Sequence, residues 1–215
     1  MTEVKRNYDA TGRRERARQR RRDVVVAAQE LFEADGFQAT TISAVAQRAG
    51  VSAESIYKGF GTKAALAKAV FDFVIVGDDE PIPMAERPET QAIQAEPDVR
   101  RKIQLYVDGF VERQQRSAKV QILIRDGRHN DETLRETWQT LLDERLTGMT
   151  MFGRHLLETG DLRPGITLDE VADVLWTCIS VELYELLVMI RGWTTERYAA
   201  FVATVITTGV RGPSV

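Results

Sequence analysis

Reactive residues are scarce in this sequence, which has one cysteine and two histidines among 215 residues. The single thiol, Cys178, cannot form an internal disulfide, and its apolar sequence neighbours favour a buried, inert side chain. The sequence also lacks a phosphate-binding glycine loop and any group of residues at metal-ligand spacing. Without a convergent set of reactive groups, we expect no enzymatic activity, no metal and no cofactor.

Long apolar runs are absent as well. Although 43% of the residues are hydrophobic, no run approaches the roughly 18 to 20 apolar residues that a membrane-spanning helix needs. The N-terminus is rich in arginine and has no apolar stretch before Val24, which is the wrong order for a secretion signal. These features predict a cytoplasmic protein that does not interact with membranes.

The charge is distributed unevenly along the chain. Residues 1–22 contain nine Lys or Arg residues and three acidic residues, whereas residues 71–215 contain 16 basic and 24 acidic residues. A basic end joined to an acidic body suits a protein of which only one end approaches a polyanion. For residues 1–14 alone, a solvated and disordered tail explains the charge equally well.

The spacing of apolar residues predicts an all-α protein, because it follows the helical period and no stretch alternates as a β-strand does. Residues 77–97 hold four of the six prolines and are predicted to form an irregular connector with a short helix near residues 89–95. The predicted helices cover about residues 15–35, 41–49, 53 onward, 62–77, 98–127, 131–157, 167–190 and 195–208.

Two short helices joined by Gly50-Val51-Ser52 predict a helix-turn-helix, with the preceding long helix covering their shared apolar face. Ser52 is a favourable N-cap for the second helix. In such a motif the first turns of the second helix enter the major groove of DNA. We therefore expect residues 1–75 to form a basic arm and a three-helix DNA-binding domain, and residues 76–215 to form a larger helical effector-binding and dimerisation domain.

The candidate DNA contacts form two groups. Thr41, Tyr57 and Lys63 are predicted to meet phosphates, as is Arg20 within the cluster Arg16–Arg22, which could also reach the minor groove. Base reading is expected at the opening turns of the second helix. These turns contain Ser52, Ala53, Glu54, Ser55 and Lys58. Glu54 is equally well explained as an acidic residue that stabilises the helix dipole.

Residues 20–75 also carry many motif residues at fixed spacing. They are Ala28, Leu31, Phe32, Gly36-Phe37, Thr40-Thr41-Ile42, Val45-Ala46, Ala49-Gly50-Val51-Ser52, Ile56-Tyr57, Phe60-Gly61-Thr62-Lys63 and Leu66. This set resembles the DNA-binding domain of the TetR family of transcriptional regulators. The sequence departs from the family pattern at Gly59, where the family usually has an aromatic residue or histidine. We expect this glycine to shorten or loosen the recognition helix.

The resemblance implies a homodimeric regulator, most simply a repressor, that binds a palindromic operator on double-stranded DNA and is released or modulated by a small-molecule effector. By resemblance, the last two long helices form the dimer interface, with Val171, Leu175, Leu183, Leu187, Phe201 and Val205 as candidate residues. The candidate effector-binding residues are Tyr106, Phe110, Arg125, Trp138, Met149, Phe152, His155, Trp176, Cys178 and Glu182, each of which would also suit ordinary core packing. The alternative is a DNA-coating protein without sequence preference or effector, for which the arginine-rich tail would suffice.

Overall fold

The computed structural model describes the backbone of residues 3–77 and 84–211, and the side chains of these residues except 3–11 and 85. Over this part of the chain the fold is all-α, as predicted, and no residue lies in a β-strand. The helices are α1 (Glu3–Ala39), α2 (Ile42–Ala49), α3 (Ala53–Phe60), α4 (Lys63–Val76), α5 (Pro88–Ala95), α6 (Val99–Gly127), α7 (Glu132–Glu158), α8 (Leu168–Cys178), α9 (Val181–Tyr184) and α10 (Thr195–Arg211).

Helix α1 begins earlier in the sequence than the apolar pattern indicates, because it includes arginine-rich turns that have no apolar stripe. Its regular part ends where predicted, at Gly36, whose backbone is in the left-handed region (φ 80°). The short helix predicted near residues 89–95 is α5. The predicted connector around it includes residues 78–83, which lie outside the described part of the chain.

The single helix predicted over residues 167–190 is wrong, because α8 ends at Cys178 and a new helix begins at Val181. Ser180 caps the new helix by accepting a hydrogen bond from the backbone N–H of Leu183. A π-helical segment, Glu185–Ile190, continues α9. The apolar pattern runs through this break, so only the capping preference of Ser180 marks it in the sequence. The start of α8 was predicted correctly, since Thr167 and Glu170 form a capping box.

The described residues group into two compact units, of which the first contains residues 3–74 and 119–137 and the second contains residues 75–77, 84–118 and 138–211. In the first unit α1 packs on α2, and α2 packs on α3. The core of this unit includes Val24, Ala28, Phe32, Phe37, Val45, Ile56, Leu66 and Val70, all nearly inaccessible to solvent. This apolar face fixes the two short helices against the longer ones.

The second unit has its own core. Helix α8 packs on α10, and Tyr184 meets Tyr198 edge to face with ring centroids 5.3 Å apart. Its buried side chains include Ile103, Val107, Phe110, Leu156, Val171, Leu175, Tyr198, Val202 and Ile206. Each unit therefore buries an apolar core of its own, and burial of apolar surface is the main stabilising contribution to folding.

Two negative findings apply to residues 3–77 and 84–211. Within these ranges no helix combines the length and the apolar character needed to cross a bilayer. Nor do three or more His, Cys, Asp or Glu side chains converge there in a way that could hold a metal ion.

Candidate functional site

The turn between α2 and α3 has the geometry of a helix-turn-helix. Gly50 ends α2 in the left-handed region (φ 67°), which glycine adopts at little cost. The Val51 N–H then donates to the Ala46 carbonyl at 3.0 Å. Ser52 caps α3 by accepting from the Ser55 N–H at 3.1 Å. The second short helix therefore starts immediately after the turn, with its direction fixed by backbone and cap hydrogen bonds.

Helix α3 presents its opening turns to solvent. Ile56 is 1% exposed and anchors the helix in the core of the first unit. On the outer face, Glu54, Ser55, Tyr57 and Lys58 are exposed, and Ala53 is half-buried. Tyr57 is 54% exposed, a large fraction for an aromatic side chain. An anchored helix with an accessible polar first turn can reach base edges without disturbing the core.

The two hydroxyl groups at the start of α3 are linked to each other. The Ser52 and Ser55 Oγ atoms lie 2.8 Å apart, and either can be the donor. Ser52 therefore occupies one hydrogen-bonding position of the Ser55 hydroxyl, and DNA could use only the other positions. Thr41 is similarly occupied, since it caps α2 by accepting from the Ala44 N–H at 3.1 Å. Its side chain is exposed beside the first helical amides of α2, where a phosphate could bind.

Lys63, a predicted phosphate contact, has a structural role in the first unit. Its ammonium donates to the Phe37 carbonyl at 2.7 Å and to the Thr40 carbonyl at 3.0 Å. It also lies 4.2 Å from the centre of the Phe37 ring. Burial lowers the pKa of Lys63, and the negative charge of Asp131 opposes this shift. Two of the three N–H donors of the ammonium therefore bond the segment that follows Gly36.

Arg20, Arg21 and Arg22 of the arginine cluster are all exposed, and Arg21 and Arg22 also contact the domain itself. Arg21 donates to the Gly59 carbonyl at 3.1 Å and stacks over the Phe60 ring at 4.2 Å. Arg22 lies 5.8 Å from the centre of the Phe73 ring. Arg21 thus links α1 to the last turn of the recognition helix, an intramolecular role that the sequence analysis did not anticipate.

Gly59 does not shorten the recognition helix, contrary to our expectation, because α3 continues through it to Phe60. The helix ends at Gly61, whose φ of 82° favours glycine. A Cβ atom built on Gly59 would meet no heavy atom within 4 Å. Gly59 is therefore a helical glycine with open space around its Cα atom. Its carbonyl accepts the hydrogen bond from Arg21.

We expect Gly59→Ala to raise the free energy of unfolding by about 0.5–1 kcal/mol, because alanine has a smaller entropic cost than glycine in a helix. Urea denaturation followed by circular dichroism would measure this change. Gly61→Ala is the matched control: the same substitution two residues away forces an L side chain to φ 82°, so stability should fall by about 1–2 kcal/mol. Equal effects at both positions would contradict this account of the helix end.

In the second unit, several candidate effector residues lie together on α6 and α7. The Tyr106 ring stacks on Phe152 with centroids 4.2 Å apart. The Tyr106 hydroxyl donates to the Met149 sulfur at 3.5 Å, a weak acceptor for a phenol. Burial raises the pKa of Tyr106, while the nearby charge of Arg113 lowers it in part. These contacts place one hydroxyl group within an otherwise apolar cluster.

Arg145, which the sequence analysis missed, completes this group. Its guanidinium lies 4.6 Å from the centre of the Trp176 ring, and the Trp176 indole N–H donates to the Leu142 carbonyl at 3.3 Å. Burial lowers the pKa of Arg145, and the negative charge of Glu182 opposes this shift. The signal was present in the sequence, since Arg145 falls at helical spacing within the buried stripe of α7. That stripe consists of Trp138, Leu141, Met149, Phe152 and Leu156.

The other candidate effector residues have ordinary structural surroundings. Phe110 is buried, with its ring 6.5 Å from that of Tyr198, and Trp138 is buried. Cys178 is buried, and burial raises the pKa of its thiol. His155 contacts the Glu158 carboxylate at 3.2 Å. Arg125 belongs to the first unit, where it pairs with Asp126 at 2.8 Å.

The candidate dimer-interface residues also differ in exposure. Val171 and Leu175 are fully buried within their own chain. Leu183 and Leu187 are half-buried, and Phe201 and Val205 are exposed. Three further large apolar side chains are exposed in the same part of the chain. They are Leu186 (55%), Met189 (48%) and Ile190 (68%).

Residues 24–70 match the family model described as bacterial regulatory proteins, tetR family. This range contains α2, the turn, α3 and the start of α4. It therefore covers all the motif residues on which the sequence resemblance rests, from Ala28 to Leu66. No curated protein sequence matches the chain.

Solved structures of similar fold cover nearly the whole chain. The transcriptional regulator FadR from Bacillus subtilis, in complex with stearoyl-CoA, is 19% identical with a TM-score of 0.68, over 89% of this chain and 98% of that one. A TetR transcriptional regulator from Chloroflexus aurantiacus is 21% identical with a TM-score of 0.62, over 92% and 98%. A protein from Saccharomonospora viridis described as a transcriptional regulator, in complex with choline, is 17% identical with a TM-score of 0.64, over 88% and 96%. At these identities the likeness shows the fold alone.

Proposed function

The chain belongs to the TetR family of bacterial regulators, and on this premise we propose that it binds a palindromic operator as a homodimer and responds to a small molecule. Residues 1–75 are the proposed DNA-binding domain, and residues 76–215 the proposed effector-binding and dimerisation domain. We further propose that it represses, that the effector releases it from DNA, and that it has no catalytic activity. Because DNA is its partner, the cytoplasm is the proposed compartment.

The observation that carries this proposal is the exposed first turn of α3. Ser52 caps the helix and Ile56 anchors it, while Glu54, Ser55 and Lys58 remain accessible. In our proposal Lys58 donates to guanine, Glu54 accepts from cytosine, and Ser55 contacts either. Arg20, Thr41, Tyr57 and the third N–H of Lys63 would contact phosphates and fix the register.

The proposed dimer interface uses the exposed apolar side chains of the π-helical segment and of α10. Leu186, Met189 and Ile190 lie on the first, and Phe201 and Val205 lie on the second. The two elements contact each other, and the Trp193 and Phe201 rings pack at right angles 5.6 Å apart. Exposed apolar side chains concentrated in this way are typical of an association surface. A twofold axis there would give the two recognition helices the fixed spacing that a palindrome requires.

The effector part of the proposal rests on the polar groups inside the second unit, and the ligands named for FadR and for the Saccharomonospora viridis protein are consistent with it. We propose that effector binding shifts the dimer toward a state with a different spacing of the recognition helices. A DNA-coating protein without an effector remains the competing function. The two differ in one measurable quantity, the ratio of specific to non-specific affinity.

Selection of bound fragments from random duplex DNA, followed by fluorescence anisotropy at several salt concentrations, tests this proposal. We expect the selected palindrome to bind at least about 10³-fold more tightly than a scrambled duplex of the same composition. Lys58→Ala should lower affinity for the selected site by about 1–3 kcal/mol and relax preference at one base pair of each half-site. Arg20→Ala is the matched control and should weaken both duplexes alike. Equal affinity of the unsubstituted protein for both duplexes would favour the coating function.

A further inference from the structure

Arg145 is in an unusual environment for an arginine. It lies within the buried stripe of α7, and its Nε is buried without a hydrogen-bond partner. Glu182 acts on its guanidinium through charge, and no hydrogen bond joins the two side chains. Burying a charged donor that is only partly compensated is unfavourable for folding. A positive charge kept in such a place therefore points to binding.

A second arginine increases the positive charge at this place. The Arg113 guanidinium lies 5.9 Å from the centre of the Tyr106 ring, and it also hydrogen-bonds the Tyr106 side chain. Tyr106 is within electrostatic range of Arg145 as well. Arg113 and Arg145 thus flank Tyr106, and Glu182 is the carboxylate that acts on Arg145. Two guanidinium groups near one carboxylate leave a net positive charge for a ligand to balance.

The apolar groups around this charge have a planar arrangement. Trp176 lies beneath the Arg145 guanidinium, and Phe152 stacks on Tyr106. Tyr106, Arg113, Arg145, Trp176 and Glu182 are each half-buried, so each keeps some surface accessible to a ligand. Aromatic side chains with a few polar groups among them are the usual lining of small-molecule sites.

We propose that the effector is an organic acid whose carboxylate binds Arg145 and whose apolar body packs on the accessible surface of Trp176 and Tyr106. The inference rests on the proposed effector role of the second unit and specifies the chemistry of its ligand. A carboxylate fits the planar fork of a guanidinium and would add to the partial charge compensation that Glu182 gives Arg145. The Tyr106 hydroxyl, which now donates to the Met149 sulfur, would gain a stronger acceptor.

A cationic effector fits this site poorly. Aromatic sites recognise quaternary ammonium groups through the faces of their rings. Here the Arg145 guanidinium occupies the face of Trp176 at 4.6 Å, so a second cation would meet like charge. An uncharged ligand would add nothing to the partial charge compensation that Glu182 gives the Arg145 guanidinium.

The experiment compares acids with their uncharged amides, using the full chain and isothermal titration calorimetry. The probes are benzoate, 2-naphthoate and octanoate, the three corresponding amides, and 2-naphthylmethylammonium. We expect at least one acid to bind about tenfold or more tightly than its amide, with no binding of the ammonium compound. If no acid binds more tightly than its amide, or if the ammonium compound binds best, the inference is overturned.

Two substitutions at Arg145 distinguish recognition from structural support. Arg145→Met should remove the preference for acids over amides, and it should leave the melting temperature of the ligand-free protein unchanged or raised, because a poorly compensated charge is lost. Arg145→Lys keeps a charge and should retain part of the preference. Arg154→Met is the matched control, since Arg154 is exposed on the same helix. Full acid preference in Arg145→Met would overturn the inference, whether or not the melting temperature falls.

Operator binding and acid preference, measured on the same samples, distinguish a failure of this inference from a failure of the proposed function. If the protein binds its operator selectively but shows no preference for acids, the inference is overturned and the proposed regulatory function still holds. An acid preference that depends on Arg145, in a protein without operator selectivity, supports the ligand chemistry and contradicts the proposed regulatory role.

Discussion

Ile190→Glu should convert the proposed dimer into a monomer and lower affinity for the selected palindrome by about 10²–10⁴-fold, the range in which linked binding exceeds the binding of one module. The Ile190 side chain is 68% exposed in the single chain, so a charge there should not disturb the fold of the monomer. Between two copies, the same glutamate would be buried against apolar side chains without a partner, which is strongly unfavourable. Analytical ultracentrifugation would measure the association, and fluorescence anisotropy would measure operator binding.

Met151→Glu is the matched control for this prediction. It places the same charge on another exposed apolar side chain of the second unit, 45% exposed on α7 and outside the proposed interface. We expect this variant to stay dimeric and to bind the operator normally. Circular dichroism should show the same helical content for both variants. A monomeric Ile190→Glu protein that keeps full operator affinity would contradict the proposal that dimerisation sets the spacing of the recognition helices.

Most helices of this fold are predictable from local signals. Ser52 and Thr41 are capping residues in the sequence and cap α3 and α2 in the structure. The same holds for the capping box at Thr167 and Glu170. These features involve neighbours within three residues, so the composition of a short segment determines them.

The features that the sequence did not reveal depend on contacts between distant residues. Arg21 meets the Gly59 carbonyl, 38 residues away in the sequence. Gly59 suggested a weakened helix, and the extra hydrogen bond helps to explain why α3 continues. In the same way, Lys63 had the position of a phosphate contact, and only the fold shows that it bonds the carbonyls of Phe37 and Thr40.

Arg145 shows a different reason for a missed residue. Its position in the apolar stripe of α7 was visible in the sequence, but an arginine in such a stripe can also extend its charged end to water. In the structure the Nε of Arg145 is buried without a hydrogen-bond partner, and the residue as a whole is half-buried. Val171 and Leu175 show that apolar residues of a predicted dimerisation helix can be buried within their own chain, which a helical pattern alone does not reveal.

Lys63→Met should reduce both stability and DNA affinity, because the ammonium serves the fold and is proposed to serve DNA binding. Loss of its two hydrogen bonds leaves the Phe37 and Thr40 carbonyls without this donor, and we expect the free energy of unfolding to fall by about 2–3 kcal/mol. Urea denaturation would measure that loss.

The effect of Lys63→Met on DNA binding should be uniform across sequences, because a phosphate contact carries no base information. We expect the affinities for the selected palindrome and for scrambled duplex to fall by the same factor, and the slope of log K against log salt to decrease by about one for each subunit. Lys119→Met is the matched control, since Lys119 is 64% exposed in the first unit and pairs with Glu33 at 3.2 Å. Loss of such a surface pair should cost less than about 1 kcal/mol. A stable Lys63→Met protein would contradict the structural role, and an unchanged salt slope would show that the third N–H of Lys63 does not reach a phosphate.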